Sequence, residues 1–129
     1  MAQNKIYQQK GGVIGGNLKV YKTVVDATNG LAVGDFTTDL EIPKHSCVLY
    51  SFIANEANDL ASSGSASLEV KVGGASVAEA AESLSDVKGT IAVEETNHVV
   101  ATAGKVALTI GTAPLTAGVI ELGVVTLTV

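Results

Sequence analysis

The sequence predicts an all-β protein, an antiparallel β-sandwich of seven or eight short strands. Apolar and polar residues alternate along one run after another, the period of a half-buried strand. Glycine-centred turn signals separate those runs, and only one stretch, 76–84, departs towards a helical composition.

The elements follow in chain order. Residues 1–16 are polar, with Ile6, Tyr7, Val13 and Ile14 as apolar anchors, and they close on Gly11-Gly12-Val13-Ile14-Gly15-Gly16. That composition reads as a flexible N-terminal arm, followed by a single sandwich domain over 17–129. Leu18, Val20 and Val24 mark the first strand. At 36–42, Phe36, Leu40 and Ile42 share one face, opposite Thr37, Asp39 and Glu41. The run 47–54, Cys47-Val48-Leu49-Tyr50-Ser51-Phe52-Ile53-Ala54, is apolar on both faces, which predicts a strand covered on both sides.

Further along, Leu68, Val70 and Val72 alternate with Ser67, Glu69 and Lys71. In 76–84, Ser76 stands where an N-cap would, Glu79 follows three residues on, and alanines fill the interval. A short helix or turn is expected there, closed by Gly89. Val99-Val100 suggests a short strand, and Val106, Leu108 and Ile110 a longer one. The last segment, 119–129, keeps Ile120, Leu122 and Val124 in phase and then shifts to Val125, Leu127 and Val129. That change of phase predicts a β-bulge, or a strand passing from one sheet to the other. Turn signals fall at Gly15-Gly16, Asn29-Gly30, Gly34-Asp35, Ser62-Ser63-Gly64, Gly73-Gly74, Ala103-Gly104 and Ala117-Gly118.

Bulk properties narrow the function. The chain has 129 residues, 13 acidic and 8 basic, with a net charge of -5. Every basic residue is a lysine, and the lysines are scattered from 5 to 105, so no cationic stripe forms and nucleic-acid binding is not expected. No segment approaches a membrane-spanning length, and the N-terminus lacks the apolar run of a signal peptide, so a cytoplasmically made, soluble protein without membrane contact is expected. Yet 47% of residues are hydrophobic, only 16% are charged, and the mean hydropathy is +0.36. Part of the surface must then be apolar, which suits burial in an assembly. The single cysteine, Cys47, lies in the apolar run and reads as a buried small hydrophobe.

No catalytic constellation emerges. The glycine-rich run at 11–16 lacks the Gly-Lys-Ser/Thr ending of a phosphate loop and reads as a hinge. Glu94-Glu95-Thr96-Asn97-His98 offers carboxylates beside an imidazole but no second histidine or cysteine, so it reads as a solvated acidic loop. His45 has no acidic or nucleophilic partner nearby in sequence. The expectation is no enzyme activity, no cofactor and no metal. A glycan-binding sandwich is the alternative from another class, with Tyr7 and Tyr21 as the surface aromatics, since Tyr50 and Phe52 lie in the apolar run.

The segment Ala107–Leu122, reading ALTIGTAPLTAGVIEL, resembles the closing strands of small tailed-bacteriophage virion structural proteins. Leu40-Glu41-Ile42-Pro43 resembles that family's entry into a strand, and Ser62–Gly74 its serine- and glycine-rich turn followed by a strand ending in glycine. The likeness covers roughly 36–129; the arm and the helix-prone segment have no counterpart in it. It implies a jelly-roll-like sandwich acting as a capsid decoration (cement) protein, with a tail or head-fibre component as the alternative. It also implies a homotrimer, a location on the capsid surface of the virion after synthesis in the host cytoplasm, and the major capsid protein or other virion proteins as partners. In that setting Ile6, Tyr7, Val13 and Ile14 of the arm are the expected assembly contacts.

Overall fold

Strand-forming residues dominate wherever the alternation is regular, and the computed structural model pairs those runs into two facing antiparallel sheets. It describes residues 18–77 and 81–128, without the side chains of Glu94 and Asn97. The strands are β1 (Leu18–Asp26), β2 (Gly34–Ile42), β3 (Ser46–Ala54), β4 (Ala61–Ser62), β5 (Ser67–Val72), β6 (Ala75–Ser76), β7 (Glu82–Ser83), β8 (Ile91–Val99), β9 (Gly104–Gly111), β10 (Leu115–Ala117) and β11 (Val119–Thr128). One helical turn, α1 (Leu84–Val87), precedes β8.

The first sheet has the order β1-β11-β3-β8 and the second β2-β9-β5-β6, with β7 also pairing β5. β4 and β10 form a separate two-stranded ribbon. Leaving the ribbon and β7 aside, the chain changes sheets at each connection except the β5–β6 hairpin. That winding is a jelly roll, as the resemblance implied. The hairpin turns on Gly73 and Gly74, whose φ of 60° and 86° are the left-handed values a two-residue type I′ turn requires.

The core lies between the sheets. Val25, Val48, Ile53, Ile120, Leu122 and Val124 come from the first sheet, and Ile42, Leu68, Val70, Val72, Leu108 and Ile110 from the second. The alternations at 36–42, 67–72 and 105–110 face as the sequence indicates, with Phe36 at the open rim of its strand.

Several expectations are corrected. The described helical turn, Leu84–Val87, begins at the far end of the helix-prone stretch 76–84 rather than at its start. Ser76 belongs to β6 and its hydroxyl donates to Glu69 Oε2 at 2.6 Å, Glu82 and Ser83 pair with Leu68 and Ser67, and α1 begins only at Leu84. The β5 edge takes Ser76, Glu82 and Ser83 as strand partners; residues 78–80 lie outside the described residues. Gly89, with φ 72°, does follow the helix; Glu79 lies outside the described residues. Residues 94–98 are not a loop, since they run through the middle of the nine-residue β8. Gly34-Asp35 and Gly104 open strands rather than turns.

The last strand keeps one phase throughout. Thr126 follows Ile120, Leu122 and Val124 inward and is fully buried. The irregularity sits in its neighbour: Tyr50 pairs Val125 and Val48 pairs Thr126, so Leu49 is the extra residue of a bulge in β3. β1 also faces opposite to the simplest reading. Tyr21, Thr23 and Val25 point inward, and Val20 and Val24 are 60% and 58% exposed.

Candidate assembly surface

The register of the first sheet determines what its outer face carries, because directly opposite residues share a face. One row holds Leu18, Leu127, Cys47 and Val99. The next holds Val20, Val125, Tyr50 and Glu95, followed by Lys22, Gly123, Phe52 and Val93. The last holds Val24, Glu121, Ala54 and Ile91. Only Lys22, Glu95 and Glu121 carry charge in these four rows. Exposed large side chains include Ile91 and Val93 at 56% each, Val99 at 55% and Tyr50 at 41%.

A sandwich in water ordinarily shows polar residues on the outer face of an antiparallel sheet. The second sheet obeys that rule. Thr109 Oγ1 donates to Asp35 at 2.7 Å, Lys71 Nζ lies 3.7 Å from the same carboxylate, and Lys105 Nζ lies 4.0 Å from Asp39. One side of the molecule is wetted and the other is dry. Among the described residues the outer side of β3 is only part-covered, with Ala54 buried and Tyr50 41% exposed, where its composition predicts cover on both sides.

At the centre of the dry face, Phe52 and Gly123 are direct cross-strand partners. A Cβ at Gly123 would overlap the Phe52 ring, so the glycine lets the ring lie flat across the neighbouring strand. Cys47 is half-buried on this face rather than in the core.

One end of the face is tied down by Asn55, 1% exposed. Its amide donates to Asp59 Oδ1 at 2.7 Å and to the Val119 carbonyl at 3.0 Å, and its carbonyl oxygen accepts from Leu60 N at 3.3 Å. The Asn55 amide holds the Asp59 carboxyl below its ordinary value of 3.8. Asp26 is lowered too, by the Thr28 hydroxyl and then the Thr28 backbone N–H.

Three depressions among the described residues hold about 170, 190 and 220 Å³, below the roughly 300–1,000 Å³ of ordinary ligand pockets. Among the described residues no group of three or more His, Cys, Asp or Glu side chains could hold a metal ion. Tyr21, expected as a surface aromatic, is half-buried against the core, and Tyr50 is the exposed one. Ile6, Tyr7, Val13, Ile14 and the glycine-rich hinge lie outside the described residues.

An eight-stranded jelly roll with one polar and one apolar outer face places the chain among antiparallel β-sandwiches. No family model matches the chain, and no curated protein matches it. Solved structures do. A chain of the capsid of Ralstonia phage GP4 superposes with a TM-score of 0.66 at 14% identity, over 88% of this chain and 86% of that one. A chain of the acidic stable capsid structure of Helicobacter pylori bacteriophage KHP30 superposes with a TM-score of 0.60 at 13% identity, over 86% and 87% respectively. At that identity the likeness is one of fold, and it agrees with the sequence resemblance to phage virion structural proteins.

Proposed function

We propose that this chain is a structural virion protein, a homotrimeric capsid decoration (cement) protein that binds the outer surface of the head. The observation that carries the reading is the dry outer face of the β1-β11-β3-β8 sheet on a jelly roll shared with phage capsid chains. Shallow apolar contacts repeated over a symmetric lattice give avidity without a deep pocket. The arm, 1–16, adds contacts through Ile6, Tyr7, Val13 and Ile14, and its ordering entropy is offset by their burial. The major capsid protein is its partner on the head, and the chemistry of the protein is non-enzymatic.

Quantitative mass spectrometry and immunogold labelling of purified particles test this. The expected outcome is label over the head, at a copy number that scales with the shell subunits. Label confined to the tail would assign the protein to a tail or fibre. Absence from particles would end the virion reading.

A further inference from the structure

The dry face needs a cover, and its own chemistry narrows what that cover is. β3 is apolar on its outward side through Tyr50 and Phe52, and nothing among the described residues lies over them. Four strands spaced ~4.8 Å apart and seven residues rising ~3.4 Å each give a footprint of roughly 450 Å². That is of the same order as the ~800 Å² of accessible surface each partner of a stable interface buries. A lone domain rarely leaves so much continuous apolar sheet in water.

We infer that the outer face of the β1-β11-β3-β8 sheet packs against another copy of this chain. The charges support that occupant. Lys22 on β1 is accompanied by Glu121 on β11 and Glu95 on β8, so the face carries both signs. A second copy can set each Lys22 against a carboxylate of its partner, two ammoniums among four carboxylates in all, whereas a wholly acidic partner leaves every glutamate facing like charge. The arm cannot fill the space by itself. It offers five large apolar side chains, Met1 among them, and the face presents ten. This inference rests on the self-associating structural role proposed above and names the surface that role uses.

The experiment is the solution mass of the full chain by light scattering across a concentration series, with three variants. The wild type is expected at a multiple of 13.0 kDa. The double variant Val20→Asp/Val93→Asp is expected at the mass of one chain with an unchanged far-ultraviolet spectrum, because both side chains are exposed in the single chain. Thr37→Asp, on the wetted sheet, is expected to keep the wild-type mass. Ile6→Asp/Ile14→Asp is expected to keep it as well. Alkylation of Cys47 gives an independent reading on the unmodified protein, since the thiol lies on this face: the rate should fall several-fold as concentration rises.

A wild type of 13.0 kDa throughout the series overturns the inference. If that monomer is still found on particles, the virion role stands and the shell covers the face; if it is absent from them, both readings fall. A double variant that keeps the multimeric mass, or a Cys47 rate independent of concentration, places the contact between copies elsewhere. Loss of the multimer in Ile6→Asp/Ile14→Asp makes the arm the occupant and equally overturns it.

Discussion

Phe52 lies across Gly123, its cross-strand partner, where any side chain would occupy the space of the ring. The pair joins the two central strands of the sheet on its outer side and sets the relief of the dry face. Gly123→Ala should therefore destabilise the protein by about 1–3 kcal/mol, because the ring must leave its place. In a Phe52→Ala background the same change should be neutral or slightly stabilising, since alanine is the better strand residue once the obstruction is gone. Urea unfolding of both single variants and the double, at one fixed protein concentration, gives the coupling energy. Equal costs of Gly123→Ala in the two backgrounds would refute the account.

Asn55 satisfies three polar partners from a buried position where β3 meets the 55–60 loop and the start of β11. Asn55→Ala should cost about 2–3 kcal/mol, as Leu60 N and the Val119 carbonyl lose their partner. Chemical denaturation measures it, and a loss below about 0.5 kcal/mol would show that the loop is held by other contacts.

Asp59 accepts from that same amide, and its folded carboxyl is held below 3.8. A carboxylate lowered on folding contributes stability that is complete above its unfolded value and is lost as pH falls through its folded value. Thermal unfolding followed from neutrality down to about pH 2 should thus fall more steeply for the wild type than for Asp59→Asn, and only below roughly pH 4. Parallel curves would mean that the hydrogen bond does not discriminate between the two protonation states.

Among the described residues the buried Thr126 hydroxyl finds no hydrogen-bond partner. Thr126→Val keeps the shape and removes the stranded group, so it should raise stability by about 1 kcal/mol. A lower denaturation midpoint in the valine variant would show that the hydroxyl is satisfied in solution.

Much of the sandwich was legible in the sequence, because period-2 alternation states which residues share a face. β5 and β9 run as the alternation indicates, and the Gly73-Gly74 pair turns a hairpin as such pairs do. The resemblance carried by Ile42-Pro43 and by the run 107–122 pointed to the jelly roll, which the winding of the chain between sheets bears out.

The dry face was visible only as anomalies. Leu18, Val20 and Val24 looked like a core stripe, and Val125 and Leu127 like a change of phase. Both were the outward side of strands whose inward sides were also occupied. The bulge that reconciles β11 with β3 lies at Leu49, inside a run too uniformly apolar to betray it. Tyr50 and Tyr21 exchanged their expected exposures for the same reason.

By itself the sequence determined that this chain forms antiparallel strands, where most of them turn, and that its apolar content exceeds what one core can absorb. Tertiary structure decided the order β1-β11-β3-β8, the side of each strand that meets the core, and the gathering of the surplus apolar residues onto a single face. The physical reason is that alternation is a local property of the extended backbone. The choice of face depends on pairings between segments as far apart as Leu18 and Leu127, and where both sides of a strand are apolar, hydropathy alone cannot rank them.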